Sequence, residues 1–126
     1  MKKLTAIILA ILILASCAST PAKIDETLNP AELFQFAQEA SNNKDYETAL
    51  QYYEVFVQNY SDDTQRLVEA EYEIAFIKYK QGDLGTAKVL FTELLDRYSG
   101  EGASVLPGWP MILSRKLLKE IEDQSL

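Results

Sequence analysis

The stretch DYETALQYYEVFVQNYS, Asp45 to Ser61, returns 38 positions later as DLGTAKVLFTELLDRYS, Asp83 to Ser99, without a gap. Thr48 and Thr86, Ala49 and Ala87, Tyr53 and Phe91, Tyr60 and Tyr98, and Ser61 and Ser99 coincide. No other feature restricts the fold so strongly. A unit of this length cannot bury its apolar face alone, so copies must stack into a continuous core.

The unit is helical. Asn29 suits an N-cap, Pro30 the first helical position and Glu32 the carboxylate of a capping box. Leu33, Phe36, Ala37 and Ala40 then follow at i, i+3, i+4 and i+7, one face of a helix. Asn42, Asn43 and Lys44 break the pattern, and Asp45 caps a second helix whose stripe is Ala49, Tyr53, Phe56, Val57 and Tyr60. After the turn at Ser61, Asp62 and Asp63, a third helix runs from about Thr64 to Gln81. Its stripe is Val68, Tyr72, Ala75, Phe76 and Tyr79. The Asp62–Asp63 pair reads as helix capping, since a helix N-terminus favours negative charge; a calcium site is the alternative, with no further ligands at loop spacing. Gly82 suits the left-handed position that ends a helix, and Asp83 caps a fourth, striped by Ala87, Leu90, Phe91, Leu94, Leu95 and Tyr98. Nothing here reads as a strand.

Two helices per unit, with Ala37 and Ala75 on first helices and Ala49 and Ala87 on second helices, resemble the tetratricopeptide repeat. The resemblance implies that these small residues let the helices of one hairpin approach closely, with Tyr53 and Phe91 as aromatic core positions. The usual period is 34 residues, and a lengthened connection at Ser61–Thr64 accounts for the excess. Lys44 stands where Gly82 does, and Ser61 and Ser99 replace the usual proline. One period further on, LPGWPMILSRKLLKEIEDQSL places Trp109 at the motif's tryptophan position, followed by Ile112, Leu113, Leu117 and Ile121. Pro107 and Pro110 fall in the entry turn, where missing N–H donors cost least. The expected fold is all-α, an α-α superhelix (a solenoid of tetratricopeptide type) of about two and a half hairpins. Two repeats cover about 31–61 and 68–99, and a half-repeat helix at 106–123 caps them. SGEGA (Ser99 to Ala103) reads as a flexible joint, its lone Gly-x-Gly too weak to signal phosphate binding.

The beginning of the chain is of another kind. Leu4 to Ala15 is almost unbroken hydrocarbon behind Lys2 and Lys3, too short at about 18 Å for a bilayer core of about 30 Å. It reads as a secretory leader over residues 1–16. Leu14, Ala15, Ser16 and Cys17 resemble a lipobox, which implies cleavage before Cys17 and acylation of its thiol and new amino group. In sorting rules known for such lipoproteins, Ala18 after the cysteine implies the outer membrane, facing the periplasm. Two or more acyl chains anchor stably, each buried methylene contributing about 0.8 kcal/mol. Residues 17–29 read as the lipidated cysteine and a flexible tether, reaching at most about 40 Å. Cys17 is the chain's single cysteine, so no intramolecular disulfide can form.

Composition narrows the chemistry. There is no histidine, which removes Ser–His, Cys–His and histidine–metal mechanisms together. With 12 basic and 19 acidic residues and a net charge of −7, the chain is a poor ligand for nucleic acid or anionic headgroups. The carboxylates fall at helix starts and on polar faces, so no enzyme, cofactor, metal or small-molecule substrate is expected. Protein binding remains. In the tetratricopeptide family the first helices line a concave groove, at positions falling on Phe34, Gln38, Ser41, Tyr72, Phe76 and Tyr79. Such a groove would be partly aromatic and suit an apolar or extended peptide; for Tyr72 and Tyr79 the other reading is packing between neighbouring first helices. The Lys and Asn residues that grip a C-terminal carboxylate in chaperone-type members are missing. Trp109 is a second candidate contact, since an unfinished repeat leaves apolar surface. Lipobox and repeats together resemble a group of periplasm-facing lipoproteins. That group includes the D-component of the outer-membrane β-barrel assembly machinery and, without lipid, the repeat domain of the Tol–Pal coordinator. This implies envelope proteins as partners, the barrel insertase among them.

Overall fold

A computed structural model of the chain describes residues 23–25 and 27–125. The leader and the lipobox from Leu14 to Cys17 lie outside the described residues. Among the described residues five α-helices follow one another: α1 (Pro30–Asn42), α2 (Tyr46–Asn59), α3 (Thr64–Lys80), α4 (Leu84–Arg97) and α5 (Gly108–Gln124), with a 3-10 turn (Ala103–Val105) before the last. No strand occurs among the described residues. None of these helices is long and apolar enough to cross a membrane.

The helix ends are set by the residues read as caps. Asn29 accepts from the Glu32 amide at 3.0 Å while the Glu32 carboxylate accepts from the Asn29 amide at 3.0 Å, a complete capping box with Pro30 behind it. Asp45, Asp63 and Asp83 each accept from the amide three residues on, at 3.2 Å. α1 and α3 end alike. The Lys44 amide donates to Ser41 and the Asp45 amide to Ala40, as Gly82 donates to Tyr79 and Asp83 to Lys78. These bonds satisfy carbonyls that the helix leaves open, and they require a left-handed residue after the cap. Gly82 has φ 80° and Lys44 has φ 62°.

Antiparallel hairpins α1–α2 and α3–α4 form two linked cores, and α5 closes the second. Leu33, Ala37, Ala49, Leu50, Tyr53 and Phe56 build the first, joined by Ala70 and Ile77 from α3. Val68, Tyr72, Ala75, Ala87, Phe91 and Leu94 build the second, with Leu117 and Ile121 from α5. The four alanines expected at the close approaches are fully buried. Burying each larger side chain contributes about 1.5–3 kcal/mol.

Two details differ from the sequence reading. The tether expected over 17–29 is docked at its end: Ile24 and Leu28 pack on the first core, and the Tyr60 hydroxyl donates to the Leu28 carbonyl at 2.9 Å. Apolar Ile24 and Leu28 lie beside an incompletely covered end of the solenoid and cover it. The last helix begins at Gly108 rather than 106, after Pro107, and turns Pro110, Ser114, Leu117 and Ile121 inward. Ile112 is left 62% exposed and Leu113 37%. Ser114 thus takes the small-residue position one residue beyond the exact period, and is fully buried.

Candidate functional site

The first helices α1 and α3 carry the residues expected to line the groove, and α5 carries Trp109, the second candidate contact. On α3, Tyr72, Phe76 and Tyr79 form a stacked ladder, with ring centroids 5.9 Å and 6.3 Å apart. The helix repeat of 3.6 residues brings these positions onto one face. Lys80 Nζ sits 5.9 Å above the Phe76 ring. Tyr72, however, is only 6% exposed, packed against Phe91 and edge-on to Trp109 at 5.1 Å. It is a packing residue, and burial pushes its phenol up to about 12, helped by Glu73. Tyr79 is half-buried and donates to Glu120 Oε2 at 3.2 Å, tying α3 to α5. Phe76 remains half-buried along the ladder.

On α1, Phe34 is half-buried and meets Tyr53 and Phe56 edge-on at 5.4 Å and 4.9 Å. Gln38 is exposed and donates its amide to the Tyr53 hydroxyl at 2.7 Å. Ser41 lies one turn further along, half-buried. Phe34 and Gln38 are therefore brought together through α2, and the α3 ladder stands apart from them.

Two carboxylates that sequence reasoning passed over join these groups. Glu73 on α3 lies near Gln38 and Tyr53; burial holds its carboxyl above the ordinary range, a hydrogen bond from Gln38 opposes this, and Glu69 adds to it. The Tyr53 phenol is pushed upward by burial and then by Glu73. Glu69 accepts from Trp109 Nε1 at 3.3 Å. A strip of Phe34, Gln38, Glu73, Glu69 and Trp109 thus runs across all three first helices, aromatic at its ends and acidic between. The i, i+4 spacing of Glu69 and Glu73 was visible in the sequence; their placement opposite Gln38 and Trp109 needed the packing. Trp109 is 38% exposed, and Leu113, Ile112 and Val105 extend an exposed apolar edge around it.

Chemically the strip offers aromatic faces, an amide and carboxylate acceptors. Among the described residues no group of histidine, cysteine, aspartate or glutamate is placed to hold a metal ion. Asp63 serves as the α3 cap and as a partner of Arg66.

Comparison with known proteins agrees with this architecture. A protein of Treponema pallidum (strain Nichols), described as an uncharacterized protein, is 30% identical over 102 residues. The match covers 79% of this chain and 41% of that relative, so the chain spans well under two thirds of the relative's length. No solved structure matches. The family model of the tetratricopeptide repeat matches residues 33–63 and 69–100, one hairpin each. Repeats of this family generally serve as non-catalytic modules that bind protein partners. On both hairpins and on the helical pairing that they build, the chain belongs to the tetratricopeptide repeat family.

Proposed function

We propose that the chain is a membrane-anchored, non-catalytic interaction scaffold of a bacterial cell envelope, working in outer-membrane protein assembly. The observation that carries the scaffold reading is the strip from Phe34 to Trp109, which offers aromatic and carboxylate contacts across three helices and no catalytic constellation. The envelope reading rests on Leu14-Ala15-Ser16-Cys17, with acyl chains on Cys17 as anchor and Ala18 directing it to the outer membrane. With Ile24 packed on the body, the six residues 18–23 that separate it from Cys17 span no more than about 20 Å. The repeats would stay close to the bilayer, where a barrel insertase presents its periplasmic side.

Photo-crosslinking residues placed at Phe34, Gln38 or Trp109 in cells test the partner. Capture of barrel-insertase components is the expected result. Peptidoglycan-associated proteins instead would favour a Tol–Pal-like coordinating role, and digestion by protease added to intact cells would favour a surface-exposed lipoprotein. Cys17→Ser tests the anchor: the helices should stay folded while the protein leaves the membrane fraction. Retention of a processed Cys17→Ser protein would contradict lipid anchoring.

A further inference from the structure

The two hairpins are repeats, so each position in the second has a counterpart in the first, and one region differs from its counterpart in both size and charge. Between α3 and α4 lies a cavity of about 410 Å³ lined by Glu71, Ile74, Leu90, Glu93, Leu94, Asp96 and Arg97. The counterparts of Ile74 and Leu90 are Phe36 and Tyr52, whose rings pack at 5.5 Å and occupy the corresponding space. The smaller pair leaves it open. Glu71 stands where Leu33 is fully buried in the first core. Glu93 replaces Val55, Asp96 replaces Gln58 and Arg97 replaces Asn59. Every neutral side chain that changed at the rim became charged, and the sum is negative.

Arg97 compensates only part of this. Its guanidinium pairs with Glu71 Oε1. The other oxygen, Glu71 Oε2, is buried without a hydrogen-bond partner. Burial holds the Glu71 carboxyl above its ordinary range, against the pull of Arg97 and with the push of Glu93. A buried acceptor without a donor is costly, so a donor entering the cavity would recover that cost. The floor of Ile74, Leu90 and Leu94 is apolar, suited to a methylene stem whose charged head stays at the rim. The cavity also lies on a different face of α3 from the Tyr72–Phe76–Tyr79 ladder, because Glu71 and Ile74 point about 100° and 160° round the helix from Tyr72, on the same side.

We infer that this cavity is a second partner-binding site, taking a lysine or arginine side chain of a protein segment. The stem lies on Ile74, Leu90 and Leu94, and the cationic head sits between Glu71, Glu93 and Asp96. The inference rests on the protein-binding reading above and adds the partner's chemistry: a basic segment, contacting the scaffold away from the three-helix strip.

The test is an NMR titration of the full chain in detergent micelles with the acetylated, amidated tripeptide Gly-Arg-Gly, and with the same peptide carrying lysine or neutral norleucine. The expected result is saturable amide shifts at Glu71, Ile74, Leu90 and Glu93 with the basic peptides only. Glu93→Gln with Asp96→Asn, both on exposed side chains, should weaken binding at least about fivefold. Ile74→Phe with Leu90→Tyr, which rebuilds the aromatic pair of the first hairpin, should abolish saturation while helix content is kept. Equal saturation by norleucine, no saturable shift at these residues, or unchanged binding in either variant would overturn the inference. The titration reads the α3–α4 cavity, whereas crosslinking at Phe34, Gln38 or Trp109 reads the strip, so either reading can fail alone.

Discussion

Lys44 and Gly82 occupy the same left-handed turn in successive hairpins, at φ 62° and φ 80°, and only the glycine adopts that angle without a steric penalty. For a side chain with a Cβ the left-handed region costs roughly 1–2 kcal/mol, offset in part by the greater chain entropy that a glycine loses on folding. Lys44→Gly should therefore raise unfolding free energy by about 0.5–1 kcal/mol in urea. Gly82→Ala should lower it by about 1 kcal/mol, purely through backbone conformation, since an added Cβ at Gly82 meets nothing within 4 Å. Glu73 makes a second prediction at this scale. Its folded carboxyl titrates above the ordinary value because burial disfavours the charge, so the folded state holds the proton more tightly than the unfolded chain. That contribution is complete below the unfolded pKa and is lost as pH rises through the folded one. Thermal melts should accordingly show Glu73→Gln gaining on the parent as pH rises from 4 to 7, with the smallest difference at pH 4. A constant difference across that range would contradict the assignment.

Each second helix ends in a tyrosine whose hydroxyl clasps the start of a first helix, and this is how the elements are held in order. Tyr60 donates to the carbonyl of Leu28 ahead of α1, and Tyr98 donates to the carbonyl of Pro107 at 2.8 Å, at the entrance of α5. α5 has no side-chain cap of its own, so Tyr98 takes over part of the fixing that Asn29 performs for α1. Tyr98→Phe should cost about 1 kcal/mol and should show first as faster hydrogen exchange in the opening turns of α5, with α1 unaffected; Tyr60→Phe should do the reverse. The helices, their caps and the hairpin pairing were legible in the sequence because capping and amphipathic spacing are local signals. Contacts between repeats were less so. The single stripe read for α3 missed Leu67, Ala70 and Ile77, all buried, because a helix between two neighbours needs two apolar faces and a one-stripe template finds one. The docking of Ile24 and Leu28 was missed for want of any periodicity in so short a segment. In α5 the strict period pointed to Leu113, whereas the entry through Pro107 advances the helix by one residue and turns Ser114 inward. At the strip, the aromatic residues were found from their repeat positions. Glu69 and Glu73 passed as solvated charge, since nothing local distinguishes a carboxylate that faces water from one that faces Gln38 or Trp109.

α3 governs how the molecule unfolds, because it is the one helix that both cores share. Ala70 and Ile77 belong to the first core and Val68, Tyr72 and Ala75 to the second. In a solenoid, stability is approximately a sum of unit and neighbour terms, and a weak joint would let one hairpin melt before the other. Here the joint is a helix buried on two faces, too short a distance across for one core to lose its packing without disturbing the other. The single tryptophan makes this measurable. Trp109 sits on α5 against Tyr72 of the second core, while Ile77 is fully buried in the first. Ile77→Ala should cost about 2–5 kcal/mol through lost burial and the cavity left behind. If the two cores unfold as one unit, the urea midpoint reported by Trp109 fluorescence should fall together with the midpoint from helical circular dichroism, by the same amount. If instead the first hairpin melts alone, fluorescence should keep the parent midpoint while the circular dichroism splits into two steps. Coincidence is the expected outcome, since losing the α1–α2 hairpin would bare Ala70 and Ile77 to water and strip α3 of the side that holds it straight against α4.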